Sequence, residues 1–191
     1  MKNLILIGGP MGVGKTSVCR ELKRLRAPCL FLDGDWCWDM EPFLVNAQTK
    51  ALVLENIVFQ LNNALACPAF RDVLFCWVLH EDSIVRTILG GLKGDYRLFR
   101  FTLTARDETL TARLTADIGS GLRTPDVIGR SLERSRAFET AGSVEISTDG
   151  LSCREIAQEI AARIGRESAG RPAAQEGERD EQIQRADQEF R

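Results

Sequence analysis

A single histidine, His80, is all that the 191-residue chain contains. With no partner histidine and no CxxC among the six cysteines, a zinc site is not expected. Of the six cysteines, Cys19, Cys29, Cys37, Cys67, Cys76 and Cys153, five fall in apolar or helical stretches. They read as reduced, mostly buried small hydrophobes of a cytoplasmic protein. No apolar run approaches the roughly 20 residues that cross a bilayer, so no membrane partner is expected. Met1-Lys2-Asn3-Leu4 offers too few apolar residues before Gly8 for a secretory leader. Net charge is only -2, which gives no support to general nucleic-acid binding, so any anion site must be local. There is no internal repeat. The length suits one domain, whose core can bury roughly 70% of the unfolded surface without staples.

What is present alternates between two periods. Apolar runs at Asn3–Gly8, Pro28–Asp33, Val73–Leu79 and Arg97–Thr104, with a short one at Val144–Ser147, predict five strands. Between them, residues 16–26, 44–66, 83–92 and 107–118 carry apolar residues at helical spacing. Gly119 stands where a helix-terminating glycine belongs, and Thr124-Pro125 reads as the start of a further helix. Ser152-Cys153-Arg154-Glu155 is a capping box ahead of a last helix. The expected fold is α/β, a five-stranded parallel sheet with helices on both faces and a small lid. The domain is expected over residues 1–165, with the lid at about 119–125. Residues 166–191, rich in charge and poor in apolar side chains, read as a solvated tail.

Gly9-Pro10-Met11-Gly12-Val13-Gly14-Lys15-Thr16 fits GxxxxGK[ST] between a strand and a helix. Its glycines let backbone N–H groups cradle phosphate oxygens, and the following helix N-terminus adds partial positive charge. Lys15 is expected on the β- and γ-phosphates of ATP and Thr16 on Mg²⁺, with Ser17 completing the nucleotide-binding set.

The second strand runs into Asp33-Gly34-Asp35-Trp36-Cys37-Trp38-Asp39. In extended backbone both carboxylates of Asp33 and Asp35 point to one side, and the carboxyl ends of parallel strands are where ligands gather. A solvated turn or a helix N-cap reads the same way. Trp36 and Trp38 flank this point as pocket or turn residues, while Trp77, mid-strand, reads as core. His80 is a structural or substrate-contacting residue, and Glu81 and Asp82 suit a helix N-cap.

The phosphate loop with DGD at the end of strand 2 resembles the small-molecule kinases related to shikimate kinase, gluconate kinase, adenylylsulfate kinase and chloramphenicol phosphotransferase. The resemblance covers about residues 1–165. It implies ATP-dependent phosphoryl transfer to a small molecule or nucleotide, with Asp33 on the metal side and Asp35 as the acceptor-side base. It also implies that Arg113 packs near the adenine and phosphates and that Arg123, on the lid, closes onto the transferring phosphate. Arg130 and Arg134 share a helix face beside it as substrate contacts. Gly119 and Gly121 make the lid a hinge, so Arg123 is expected to gain a charged partner only on closure. Any one of these arginines equally suits a solvated helix surface. Strand 3 lacks the acid that many phosphate-loop enzymes carry, and Asp33 could replace it. The alternative function is a nucleotide hydrolase or nucleotide-sensing regulatory ATPase; no NKxD guanine signature is present. A monomer or homodimer is expected.

Overall fold

The computed structural model describes residues 1–136, 138 and 142–169. Five strands, β1 (Lys2–Gly8), β2 (Cys29–Asp33), β3 (Asp72–Cys76), β4 (Tyr96–Thr104) and β5 (Val144–Ser147), form one parallel sheet in the order β2-β3-β1-β4-β5. The chain threads α1 (Lys15–Leu25), α2 (Ala47–Ala66), α3 (Asp82–Gly90), α4 (Asp107–Gly119), α5 (Val127–Arg136) and α6 (Cys153–Ala169) between and after them.

The sheet is buried on both faces because β1 from Leu4 to Ile7 and β3 from Val73 to Cys76 are apolar at every position. In β1, Ile5 and Ile7 face the cluster built with α1 and α6, while Leu4 and Leu6 face the cluster built with α2 and α3. In β3, Leu74 and Cys76 take the first face and Val73 and Phe75 the second. This period of two gives each strand a share in both cores. Helix α6 sends Ile156, Ile160 and Ile164 into the first core, and α2 sends Val53, Ile57 and Leu61 into the second. Among the described residues no helix is long and apolar enough to cross a membrane, and all six cysteines carry free thiols.

Several expected boundaries move, each for a local reason. Strand β3 ends at Cys76 instead of Leu79; beyond it the Trp77 N–H still bonds the Ile7 carbonyl at 3.2 Å and the Val78 carbonyl accepts the Gly9 N–H at 3.3 Å, before the chain turns at Leu79 with φ 46. Asp33-Gly34-Asp35, expected as extended with a turn or helix N-cap as the alternative, takes the alternative: Gly34–Trp38 is a 3-10 helix capped by Asp33, whose side chain accepts the Asp35 N–H. Gly119 is the last residue of α4, not its terminator. That role falls to Gly121, at φ 75, where the Gly121 N–H bonds the Ile118 carbonyl and the Leu122 N–H bonds the Asp117 carbonyl, both at 2.9 Å. This is the two-bond Schellman closure. Helix α5 begins at Val127 and not at Thr124-Pro125, since a turn from the Thr124 carbonyl to the Val127 N–H precedes it. Helix α6 runs to Ala169, past residue 165. Residues 170–191 of the expected tail lie outside the described residues.

Asp72 opens β3 with no solvent exposure. Asn3 Nδ2 donates to it at 2.6 Å and Arg26 Nε at 2.7 Å, which ties the start of β1 and the end of α1 to β3. Breaking such a pair strands a charge in the interior. Arg26→Ala is expected to cost about 3–5 kcal/mol of stability, measured by urea denaturation. The same variant combined with Asp72→Leu should recover much of the loss. A single-variant loss below about 1 kcal/mol would make this a surface-type pair.

Candidate active site

With order β2-β3-β1-β4-β5, the connections leaving β1 and β3 run to opposite sides of the sheet, which opens a crevice at the strands' carboxyl ends. A cavity of about 1600 Å³ lies there. One part is lined by Met11 to Ser17 with Arg113, Leu151 and Ile156. The other is lined by Asp35, Trp36, Trp38, Phe43, Trp77 and Ile84.

The phosphate loop leaves β1 at Gly8. Gly9 has φ 144, and a Cβ there would lie 2.7 Å from the Leu103 carbonyl oxygen, so any side chain would strain the loop against β4. Lys15 Nζ donates to the Gly9 and Pro10 carbonyls at 2.8 and 2.9 Å. Gly9 and Pro10 thus meet Lys15 through their carbonyls, while Met11 to Ser17 face the cavity. Ser131 Oγ donates to the Met11 carbonyl at 2.7 Å, and Arg113 Nη1 to the Val13 carbonyl at 3.2 Å. In a trans peptide the C=O and the following N–H point opposite ways. These two bonds therefore turn the Gly12 and Gly14 amides away from Ser131 and Arg113. Arg113 also holds the Thr148 hydroxyl and carbonyl, at 2.9 and 3.0 Å, so it couples the phosphate loop to the loop after β5.

Asp33 is 5% exposed and closes β2. Thr16 Oγ1 donates to its Oδ2 at 2.7 Å, and the Asp35 N–H to its Oδ1 at 3.1 Å. A hydroxyl beside a carboxylate is an all-oxygen donor set, which suits a hard cation such as Mg²⁺ held by few protein ligands. Among the described residues no group of three or more His, Cys, Asp or Glu could hold a metal by itself.

Asp35 opens onto the cavity. Desolvation by the walls, then the Asp33 charge, hold its carboxyl above the ordinary carboxylate range, against the pull of Lys15, a Trp77 hydrogen bond and Arg123. Desolvation lowers the Lys15 ammonium, while Asp35 and Asp33 act to keep it charged. Lys15, Asp33, Asp35 and Arg123 thus share one electrostatic neighbourhood.

Trp77, expected in the core, is half-buried and does both: it packs against the second core and lines the cavity, with Nε1 donating to Asp35 Oδ1 at 3.1 Å. Periodicity missed it because β3 stops one residue earlier. Trp36 and Trp38 both line the cavity; Trp36 is 53% exposed, edge-on to Phe31, and Trp38 packs on Phe43 with ring centroids 5.9 Å apart. Leu79 is the one described non-glycine residue at positive φ, 46, and its turn carries His80 and Glu81 to the cavity edge, where His80 Nε2 lies 3.1 Å from Glu81 Oε1.

On the lid, Arg123 Nε meets Asp117 Oδ2 at 3.1 Å. This overturns the expectation that Arg123 lacks a charged partner until closure; the Schellman turn folds it back over the last turn of α4. Arg130 lines the cavity while paired with Asp126 at 2.8 Å, and Arg134 lines it as well. Ser131, whose bond to Met11 spans 120 residues, carries no local sequence signal.

Comparison with known proteins agrees with this architecture. A search of curated proteins finds no match. Among solved structures, the tunicamycin resistance protein of Deinococcus radiodurans is 23% identical, with a TM-score of 0.62 over 86% of this chain and 96% of that one. A gluconokinase from Sinorhizobium meliloti 1021 is 18% identical, with a TM-score of 0.63 over 86% and 92%. The shikimate kinase of Acinetobacter baumannii in complex with shikimate is 21% identical, with a TM-score of 0.59 over 87% and 94%. Identities this low speak to the fold, which is that of the group the phosphate loop and DGD resemble. A family model described as an AAA domain matches residues 5–122, from β1 to the Schellman turn after α4, and the chain belongs to that family.

Proposed function

We propose that the protein is a kinase that transfers the γ-phosphate of ATP to the hydroxyl of a small molecule. The observation that carries this is that Lys15, Thr16, Asp35 and Arg123 line a single cavity of about 1600 Å³, with Asp33 held behind Thr16 by its hydroxyl. Pockets for one drug-sized ligand measure roughly 300–1,000 Å³, so there is room for a nucleotide and an acceptor side by side. A hydroxyl acceptor is favoured over a phosphate acceptor, because only a hydroxyl has a proton for a base such as Asp35 to take.

In this reading the loop from Met11 to Ser17 binds the phosphates through its amides and the α1 N-terminus. Lys15 exchanges the Gly9 and Pro10 carbonyls for β- and γ-phosphate oxygens. Thr16 and Asp33 are the residues to hold Mg²⁺, which when bound neutralises charge on the phosphates. Asp35 accepts the proton of the acceptor hydroxyl as its oxygen bonds to the γ-phosphorus and the bond to the β-phosphate oxygen breaks. Arg123 leaves Asp117 for an oxygen of the transferring group, where its fixed charge offsets the charge developing there. Trp36 and Trp38 flank the acceptor, and Arg130 and Arg134 stand at its lid side.

The test is product identification. The enzyme is incubated with Mg·ATP and a mixture of hydroxyl metabolites, and phosphorylated products are sought by mass. ATP hydrolysis equally fast with and without acceptors, and no phosphorylated product, would instead favour a hydrolase or nucleotide sensor.

Three variants sharpen this. Lys15→Ala is expected to lower turnover about 10²–10³-fold, as loss of a preorganised charge on the phosphates does. Near wild-type turnover would remove the loop from the chemistry. Asp35→Asn should lower kcat about 10²–10⁴-fold and leave Mg·ATP affinity nearly unchanged in calorimetry. An unchanged kcat would reduce Asp35 to a turn residue. Arg123→Ala should lower kcat and kcat/KM together, since its bond to the transferring group forms late. A variant that loses only ATP affinity would make Arg123 a ground-state phosphate ligand.

A further inference from the structure

Asp35 owes its orientation to a neighbour 42 residues away. We infer that Trp77 is a positioning residue, whose indole N–H fixes the Asp35 carboxylate in the orientation it presents to the cavity. The inference rests on the phosphoryl-transfer reading, in which Asp35 is the base.

Four features converge on it. Trp77 Nε1 donates to Asp35 Oδ1 at 3.1 Å. The indole has a donor and no acceptor, so it can hold the carboxylate without competing for its proton. The Trp77 backbone is anchored, its N–H on the Ile7 carbonyl at 3.2 Å, one residue before the end of β1 and the start of the phosphate loop. The ring is seated as well. It lies against Gly34, where a Cβ would come within 2.5 Å of Trp77 Cγ and 2.8 Å of Cδ1. Gly34 is therefore required for the space it leaves, and the glycine of the DGD triplet is a seat for the tryptophan.

On the other side, the Asp35 N–H is held by Asp33 Oδ1 at 3.1 Å. The backbone of Asp35 is thus fixed to the residue that Thr16 binds, and its side-chain torsions are the freedom that remains. The indole bond removes that freedom. A base so held stands in one place relative to the phosphate loop, because Asp33 closes β2, which pairs with β3, and Trp77, just past β3, has its N–H on β1. Misplacing a reacting group by about 1 Å costs about 10²-fold in rate, so the expected contribution of a positioning bond is of that order.

The chain has three tryptophans, Trp36, Trp38 and Trp77, so its indole N–H groups give three signals in a nitrogen-15 correlation spectrum of the full protein. Trp77→Phe identifies the Trp77 signal by its loss. In Asp35→Ala, exchange of the Trp77 indole proton with solvent should speed up about tenfold or more, as loss of a hydrogen bond to a charged group predicts. Unchanged exchange overturns the inference.

The second arm is kinetic and uses turnover of Mg·ATP in the presence of the mixture of hydroxyl metabolites. Trp77→Phe keeps the ring and removes the N–H. It should lower kcat about 10- to 100-fold while KM for ATP stays within about twofold. Gly34→Ala keeps the indole and drives it from its seat, and should reproduce that split. Trp77→His, which restores a ring N–H donor, should recover part of kcat. A Trp77→Phe enzyme with full kcat and an unchanged urea midpoint overturns the positioning role. A wild-type protein with no ATP turnover sinks the proposed function instead, and the exchange measurement alone then decides whether Trp77 holds Asp35.

Discussion

The site is organised around one ammonium group placed where water is scarce. Lys15 sits at the start of α1, and desolvation works against its charge. An unpaired charge in such a place is costly, so the surrounding chain answers it. The Gly9 and Pro10 carbonyls accept from it, and the carboxylates of Asp33 and Asp35 oppose the desolvation. Each of these answers has its own structural consequence. Carbonyls can reach back to Lys15 because the loop turns sharply at Gly9, where a side chain would meet β4. The two carboxylates can reach it because β2 lies two strands from β1 and ends at the same level.

Four carbonyls of the loop are met by side-chain donors. Lys15 takes those of Gly9 and Pro10, Ser131 that of Met11 and Arg113 that of Val13. These donors come from α1, α5 and α4, so three helices fix one loop. Arg113 bonds the Thr148 hydroxyl and the Thr148 and Val13 carbonyls, which sets a cation at the edge of the cavity that would hold phosphates.

Local signals in the chain foretell the sheet, the phosphate loop, the capping box at Ser152 and most of the helices. Each of these depends on spacing within one segment: period two in β1, GxxxxGKT after it, and a hydroxyl three residues ahead of an acid. What the sequence hid depends on contacts between distant segments. Trp77 looked like core because it extends an apolar run; its backbone still bonds β1 and its ring packs against the second core, but the indole N–H turns to Asp35, 42 residues away. Asp33 and Asp35 looked like an extended pair because each is followed by no helical pattern, and a five-residue 3-10 turn leaves none. Ser131 has no motif at all. The lid was read from two glycines as a hinge, but only Gly121 takes a positive φ, and it serves a Schellman closure.

That closure bears on how Arg123 would act. The turn after α4 is pinned by two backbone bonds and places Arg123 on Asp117. Both side chains of this pair are more than a third exposed or close to it, 38% and 35%, so solvent screens their attraction. Pairs of this kind contribute about 0–1 kcal/mol, too little to trap the arginine. A charge-assisted bond to a phosphoryl oxygen inside a cavity closed to water is roughly twice as strong as a neutral one, and the surrounding low dielectric strengthens it further. Under the proposed function the exchange of Asp117 for phosphate is therefore downhill without unfolding the turn. A rotation of one side chain about its own torsions suffices, and the cost of closure falls on Arg123 alone instead of on the backbone of the whole lid.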